Sequence, residues 1–134
     1  MNSVTGTATT NASVVLFSDK PVLMRAVRDH LRERKFTNIT VISDHERVLS
    51  TMRTQATDLL VVDMDVEDDW SMKVMKKIRE DKYLFRVPII ALSGNASKDT
   101  VLKAARAGAN DVMVKPFPLK QLHDRVVAAL KSDH

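Results

Sequence analysis

Apolar residues occur along this chain in two alternating patterns. Short apolar runs, fit for buried strands, stand at residues 14–17, 39–42, 59–62, 89–92 and 112–114. Between them lie longer stretches with helical spacing, of which residues 22–34 are the clearest. Local signals predict the helix ends. Pro21 suits a first helical turn. Asp44 is placed to cap a second helix running to about Thr54. Either Asp68 or Asp69 can cap a third that reaches about Asp81. Ser97 can cap a fourth, which stops at Gly108. Residues 119–131 form the last. Five strand–helix units predict an α/β fold: a five-stranded parallel sheet with right-handed crossovers and helices on both faces.

Residues 1–12 are almost all Ser, Thr, Asn, Ala and Gly, with nothing to bury, and are read as a disordered tail. Residues 13–131 make one domain and 132–134 a C-terminal tail. No internal repeat or second domain is visible. A length of 134 residues allows a real core.

Composition narrows the function. The chain has no Cys, which excludes disulfides and thiolate metal sites. Its four His (His30, His45, His123, His134) lack metal-ligand spacing. With three Gly there is no Gly-rich phosphate loop. No apolar stretch is long enough to span a bilayer, and no secretory signal opens the chain, so the expected location is cytoplasmic with no membrane partner. The net charge of +4 favours anionic partners only weakly. There is no helix-turn-helix segment, and direct DNA binding is not expected.

The candidate chemistry lies at three strand ends. Asp63, Ser93 and Lys115 each close an apolar run. In an open α/β sheet, ligands bind beyond the carboxyl ends of parallel strands. A carboxylate, a hydroxyl and an ammonium gathered there suit phosphoryl transfer: the carboxylate attacks phosphorus, and the other two hold the transferred oxygens. Taken singly, each has a plainer reading: Asp63 as a cap, Ser93 as a turn residue, Lys115 as an acid's partner.

An acid after strand one (Asp19), Asp63 after strand three, Ser93 after strand four, Ala107-Gly108-Ala109 before strand five and Lys115-Pro116-Phe117 after it occur in order. This set resembles the receiver domain of bacterial two-component response regulators, most closely the chemotaxis-type single-domain members, over residues 13–131. The resemblance implies the flavodoxin-like strand order 2-1-3-4-5. It also implies that Asp63 accepts a phosphoryl group from a sensor histidine kinase or phosphotransfer protein. Such a chain is no conventional enzyme; it catalyses its own phosphorylation and dephosphorylation. Asp19, Asp63 and the backbone carbonyl of Asp65 would hold Mg2+, with Lys115 pairing first with Asp63 and then with the phosphoryl group. Ser93 would turn inward to that group, and the Lys115-Pro116 peptide would be cis. The output would be a protein target on the face of helix four, strand five and helix five, which Lys98, Lys103, Arg106, Lys120 and Arg125 flank.

Two positions depart from the family pattern. Ser18 stands where the family usually has a first acid, and Val112 where many members carry Tyr or Phe. The Asp65 side chain is a candidate replacement for the acid missing at Ser18; its alternative is to face solvent. Trp70, at the start of helix three, is expected close to the site.

Two other classes compete. A pseudo-receiver, a protein-binding module without phosphate control, is favoured by Ser18 and Val112 and opposed by the joint set. A haloacid-dehalogenase-like phosphatase would explain Asp63-Met64-Asp65, but its motif normally ends the first strand and the chain lacks room for a substrate cap. The reading carried forward is a stand-alone receiver, with one domain of a longer protein as the alternative.

Overall fold

A computed structural model describes residues 7–132. Five strand–helix units follow one another: β1 (Ser13–Phe17), α1 (Pro21–Glu33), β2 (Asn38–Ile42), α2 (Val48–Thr54), β3 (Leu59–Asp63), α3 (Trp70–Glu80), β4 (Ile89–Ser93), α4 (Lys98–Ala107), β5 (Asp111–Val114) and α5 (Leu119–Lys131). All pairings are parallel, in the order β2-β1-β3-β4-β5. This is the flavodoxin-like order.

Strand alternation divides the core in two. Val15, Phe17, Leu60, Val62, Ile89 and Ala91 face one side, where α2, α3 and α4 bring Val48, Met52, Met75, Ile78 and Ala104. Val14, Leu16, Leu59, Val61, Ile90 and Leu92 face the other, where α1 and α5 bring Met24, Val27, Leu31, Leu122 and Val126. β3 is buried along its whole length, which is why it reads as a continuous apolar run. Each fully buried Leu, Ile or Met here stabilises the fold by roughly 1.5–3 kcal/mol.

Register aligns the chemistry with the sheet edge. Asp63 pairs with Leu92, so Asp63 and Ser93 both emerge at the carboxyl end of the sheet. Ser93 pairs with Val114, which puts Lys115 one residue further along the same rim. β1 lies between β2 and β3. The chain therefore leaves β1 and β3 toward opposite faces, and a crevice opens between their ends.

Of the local signals, some came out as predicted and others did not. Ser97 caps α4, its Oγ accepting from Thr100 N at 3.2 Å. Asp44 accepts from Glu46 N at 2.9 Å, but it caps a 3-10 turn, His45–Arg47, that leads into α2. Neither acid before α3 serves as a side-chain cap. Asp69 occupies the N-cap position without such a bond, and Asp68 and Asp69 adopt φ of 58° and 54°. Two successive left-handed Asp residues make a sharp corner that Asp tolerates better than most side chains. Ahead of β1, Thr7–Thr10 form a helical turn where composition pointed to a structureless tail. Thr37 N donates to Thr10 O and Asn38 Nδ2 to Asn11 O, which ties this segment to β2. Residues 1–6 and 133–134 of the two expected tails lie outside the described residues.

Candidate functional site

Asp63 is fully buried, yet its carboxylate is enclosed by hydrogen-bond donors. Lys115 Nζ donates to Oδ1 at 2.8 Å, and the Asp65 amide donates to the same oxygen at 2.9 Å. Ser18 Oγ donates to Oδ2 at 2.6 Å. Burial pushes the Asp63 carboxyl up, but the bonds from Lys115, Ser18 and the Asp65 amide outweigh it and hold the group below the ordinary carboxylate range. The buried group is therefore an anion at neutral pH. Its backbone is held too: Ser71, at the start of α3, donates its hydroxyl to the Asp63 carbonyl.

Lys115 has a second acid. Its Nζ lies 3.1 Å from Asp65 Oδ2, which also accepts from Gly94 N at 2.8 Å. Asp65 thus sends its side chain to Lys115 and the β4–α4 loop. Its carbonyl turns the other way, accepting from Lys20 Nζ at 2.7 Å. Lys20 Nζ also donates to Asp19 Oδ1 at 2.9 Å, and that bond raises its pKa further above the ordinary lysine range. A Cβ on Gly94 would lie 3.1 Å from Asp65 Oδ2, so the bare backbone allows the loop this close.

Ser93 stands at the same rim, buried, with its hydroxyl turned into its own loop. It accepts from Asn95 N at 3.0 Å and lies 3.3 Å from Asn95 O. Val112 is half-buried and packs on the α2–α4 side of the sheet. The Lys115–Pro116 peptide is cis. Trp70 stacks on His45, centroids 3.4 Å apart and planes at 10°, with Lys73 Nζ 4.3 Å from its ring centre. Its ring therefore contacts the turn that leads into α2.

The donor set for a cation is two-sided. Among the described residues, no three His, Asp or Glu side chains converge as a metal site. The Asp65 carboxylate is drawn off by Lys115, which leaves the carboxylates of Asp19 and Asp63 and the Asp65 carbonyl. That one ammonium touches both Asp19 and the Asp65 carbonyl shows these oxygens already facing a common cation position. Hard divalent ions such as Mg2+ take oxygen ligands and keep several waters, so this partial set fits one.

A protein-family model for the response regulator receiver domain matches residues 14–127. The chain belongs to this family. It is 26% identical over 113 residues to the chemotaxis protein CheY of Pseudomonas aeruginosa, covering 84% of this chain and 91% of that protein. Identity to chemotaxis protein CheY-3 of Vibrio cholerae is 26% over 116 residues, 87% of this chain and 89% of the other. Among solved structures, the receiver domain of a sensor histidine kinase from Pseudomonas aeruginosa, with a magnesium ion coordinated in its active site cleft, superposes with a TM-score of 0.82. It is 25% identical, with 91% and 99% of the two chains covered. A response regulator from Thermotoga maritima gives a TM-score of 0.80 at 26% identity over the same shares. This membership leaves the haloacid-dehalogenase-like reading without support.

For this receiver, the structure gathers Ser18, Asp19, Asp63, Asp65 and Lys115 in one crevice and keeps the Ser93 hydroxyl with Asn95. Three contributors escaped sequence reasoning. Ser71 and the Gly94 amide left no signal in residue type. Lys20 did: a basic residue directly after Asp19, in a strand-end loop, is a cation placed among candidate ligands.

Proposed function

We propose that this receiver accepts a phosphoryl group on Asp63 from the phosphohistidine of a sensor histidine kinase or phosphotransfer protein, with Mg2+, and signals by protein contact. The observation that carries the reading is the Asp63 carboxylate itself. It is buried and ionised, with Lys115 on one oxygen and Ser18 on the other. An anion held in that state at the mouth of a crevice is a nucleophile whose desolvation cost the fold has already met.

A carboxylate oxygen of Asp63 attacks phosphorus, the new O–P bond forms, and the P–N bond to the donor imidazole breaks. Lys115 is already within reach of the reacting carboxylate and moves onto the phosphoryl oxygens. Ser93 exchanges its bond with Asn95 for one with the phosphoryl group, which couples the reaction to the β4–α4 loop. Asp19, Asp63 and the Asp65 carbonyl would hold Mg2+, which when bound would supply neutralisation of charge on the transferred oxygens. Asp65 is the second counter-charge to Lys115, the role left open by Ser18. The output face is that of α4, β5 and α5, where Val101, Leu102 and Val114 are exposed beside Lys98, Lys103 and Arg106. Autocatalytic loss of the phosphoryl group to water returns the site to rest. Residues 13–131 act as the signalling unit, in the cytoplasm, without DNA or membrane contact.

The test is intact mass with a small phosphodonor. Wild type is expected to gain one phosphoryl group in Mg2+ and none after chelation; Asp63→Asn should gain none. No gain from any donor, with Mg2+ binding shown separately, overturns the reading. That outcome would leave the pseudo-receiver, which Ser18 and the Lys20 bonds to Asp19 and Asp65 favour.

A further inference from the structure

Lys20 stands at an unusual place for a cation. Its ammonium bridges Asp19 Oδ1 at 2.9 Å and Asp65 O at 2.7 Å, two of the three oxygens fitted to hold a divalent ion. Its own amide donates to Ser18 Oγ at 3.0 Å, and Ser18 Oγ donates onward to Asp63. The β1–α1 loop is thereby pinned with the ammonium directed into the crevice. A lysine ammonium is a compact, strongly hydrated point charge with several donors, so it satisfies the same hard oxygens that a divalent ion does. It is also attached by a flexible stem and half exposed, so it can leave without unfolding anything.

Charge points the same way. Three carboxylates (Asp19, Asp63, Asp65) face two ammoniums (Lys20, Lys115) in the resting site, leaving a single net negative charge. A divalent ion added with Lys20 still in place would reverse that sign and put two cations on the same oxygens. If Lys20 swings out, the three carboxylates balance the ion and Lys115.

We infer that Lys20 is a built-in competitor for the metal position: it occupies the Asp19–Asp65 carbonyl seat at rest, and a divalent ion binds only by displacing it. This rests on the proposed receiver function and adds its regulation. Metal affinity is lowered by the fraction of molecules in which the seat is free. Metal binding releases a basic side chain from the crevice to the surface beside α1, so the metal-loaded and metal-free proteins present different charges to a partner kinase.

The test is calorimetric Mg2+ titration of the full chain, wild type against Lys20→Met and Lys20→Arg, joined to observation of the Lys20 Nζ resonance by nitrogen-15 NMR. With the seat filled in nine molecules of ten, Lys20→Met should bind Mg2+ about tenfold more tightly than wild type. Lys20→Arg, which keeps the charge, should stay close to wild type. The wild-type Lys20 Nζ signal should show slow proton exchange without Mg2+ and become that of a free surface lysine at saturation. A mere long-range charge effect would tighten binding in Lys20→Met but leave that signal unmoved, which overturns the inference. Equal affinity of wild type and Lys20→Met also overturns it, and if Asp63 still takes phosphate the receiver function stands. If neither protein binds Mg2+ nor gains a phosphoryl group, both readings fall.

Discussion

The two ends of the sheet both hold partly or fully buried charges, but they satisfy them differently. At the amino end, Arg79 donates to the carbonyls of Gly108, Phe85 and Val87 and to the Asn110 side chain. Asp81 accepts from the amides of Tyr83 and Leu84 and from Arg53. Those partners are mostly backbone groups, fixed by the fold. At the carboxyl end, Asp63, Asp65, Asp19, Lys115 and Lys20 are satisfied largely by one another. A side-chain partner can be exchanged for an ion or a phosphoryl oxygen at little cost in backbone structure; a backbone partner cannot. One end therefore closes the fold and the other stays open to chemistry.

The largest expected effect lies at the amino end. Arg79→Ala strands the carbonyls of Gly108 and Val87, and should cost about 2–4 kcal/mol. Asp63→Asn, at the other end, should change stability by less than about 1 kcal/mol, because Lys115 keeps Asp65 and the pair's desolvation cost is relieved. Urea unfolding of both proteins measures the contrast, and equal losses would break it. Next is Gly108→Ala. Gly108 has φ of 121°, and a Cβ there would lie 2.6 Å from Arg79 Cγ. The strain should cost about 1–3 kcal/mol and move the guanidinium, which heating curves and amide exchange at Asn110 would both register.

The smallest effect is one of pH. The Arg53 guanidinium, then the Tyr83 amide, holds the Asp81 carboxyl below its ordinary value. Its contribution to stability is thus present above the ordinary carboxylate pKa and lost as pH falls through the folded one. Asp81→Asn should be less stable than wild type at neutral pH, with the gap closing under acid. Unfolding midpoints taken across the acid range check this; a constant gap would mean that the Asp81 charge is not linked to folding.

Much of this was legible from residues alone. The strand runs, Ser97 at α4 and Gly108 after it were readable because each depends on local backbone needs or on burial of a short segment. The corner at Asp68 and Asp69 was not, since composition permits a cap there and only the route from β3 into α3 demands the left-handed turn. Thr7–Thr10 likewise take their helical turn from a segment whose ties are to β2, far along the chain.

The sequence by itself determined the order of elements and the strand-end placement of Asp63, Ser93 and Lys115, because strand period and burial follow from neighbouring residues. Only the tertiary structure decided which partners those groups take. Ser18 proved to be a donor to Asp63, not simply a lost acid; the Asp65 side chain went to Lys115 and its carbonyl to Lys20. Hydrogen bonds between loops depend on where three separate strand ends meet to within an ångström, and that distance is set by packing across the whole sheet rather than by any one segment.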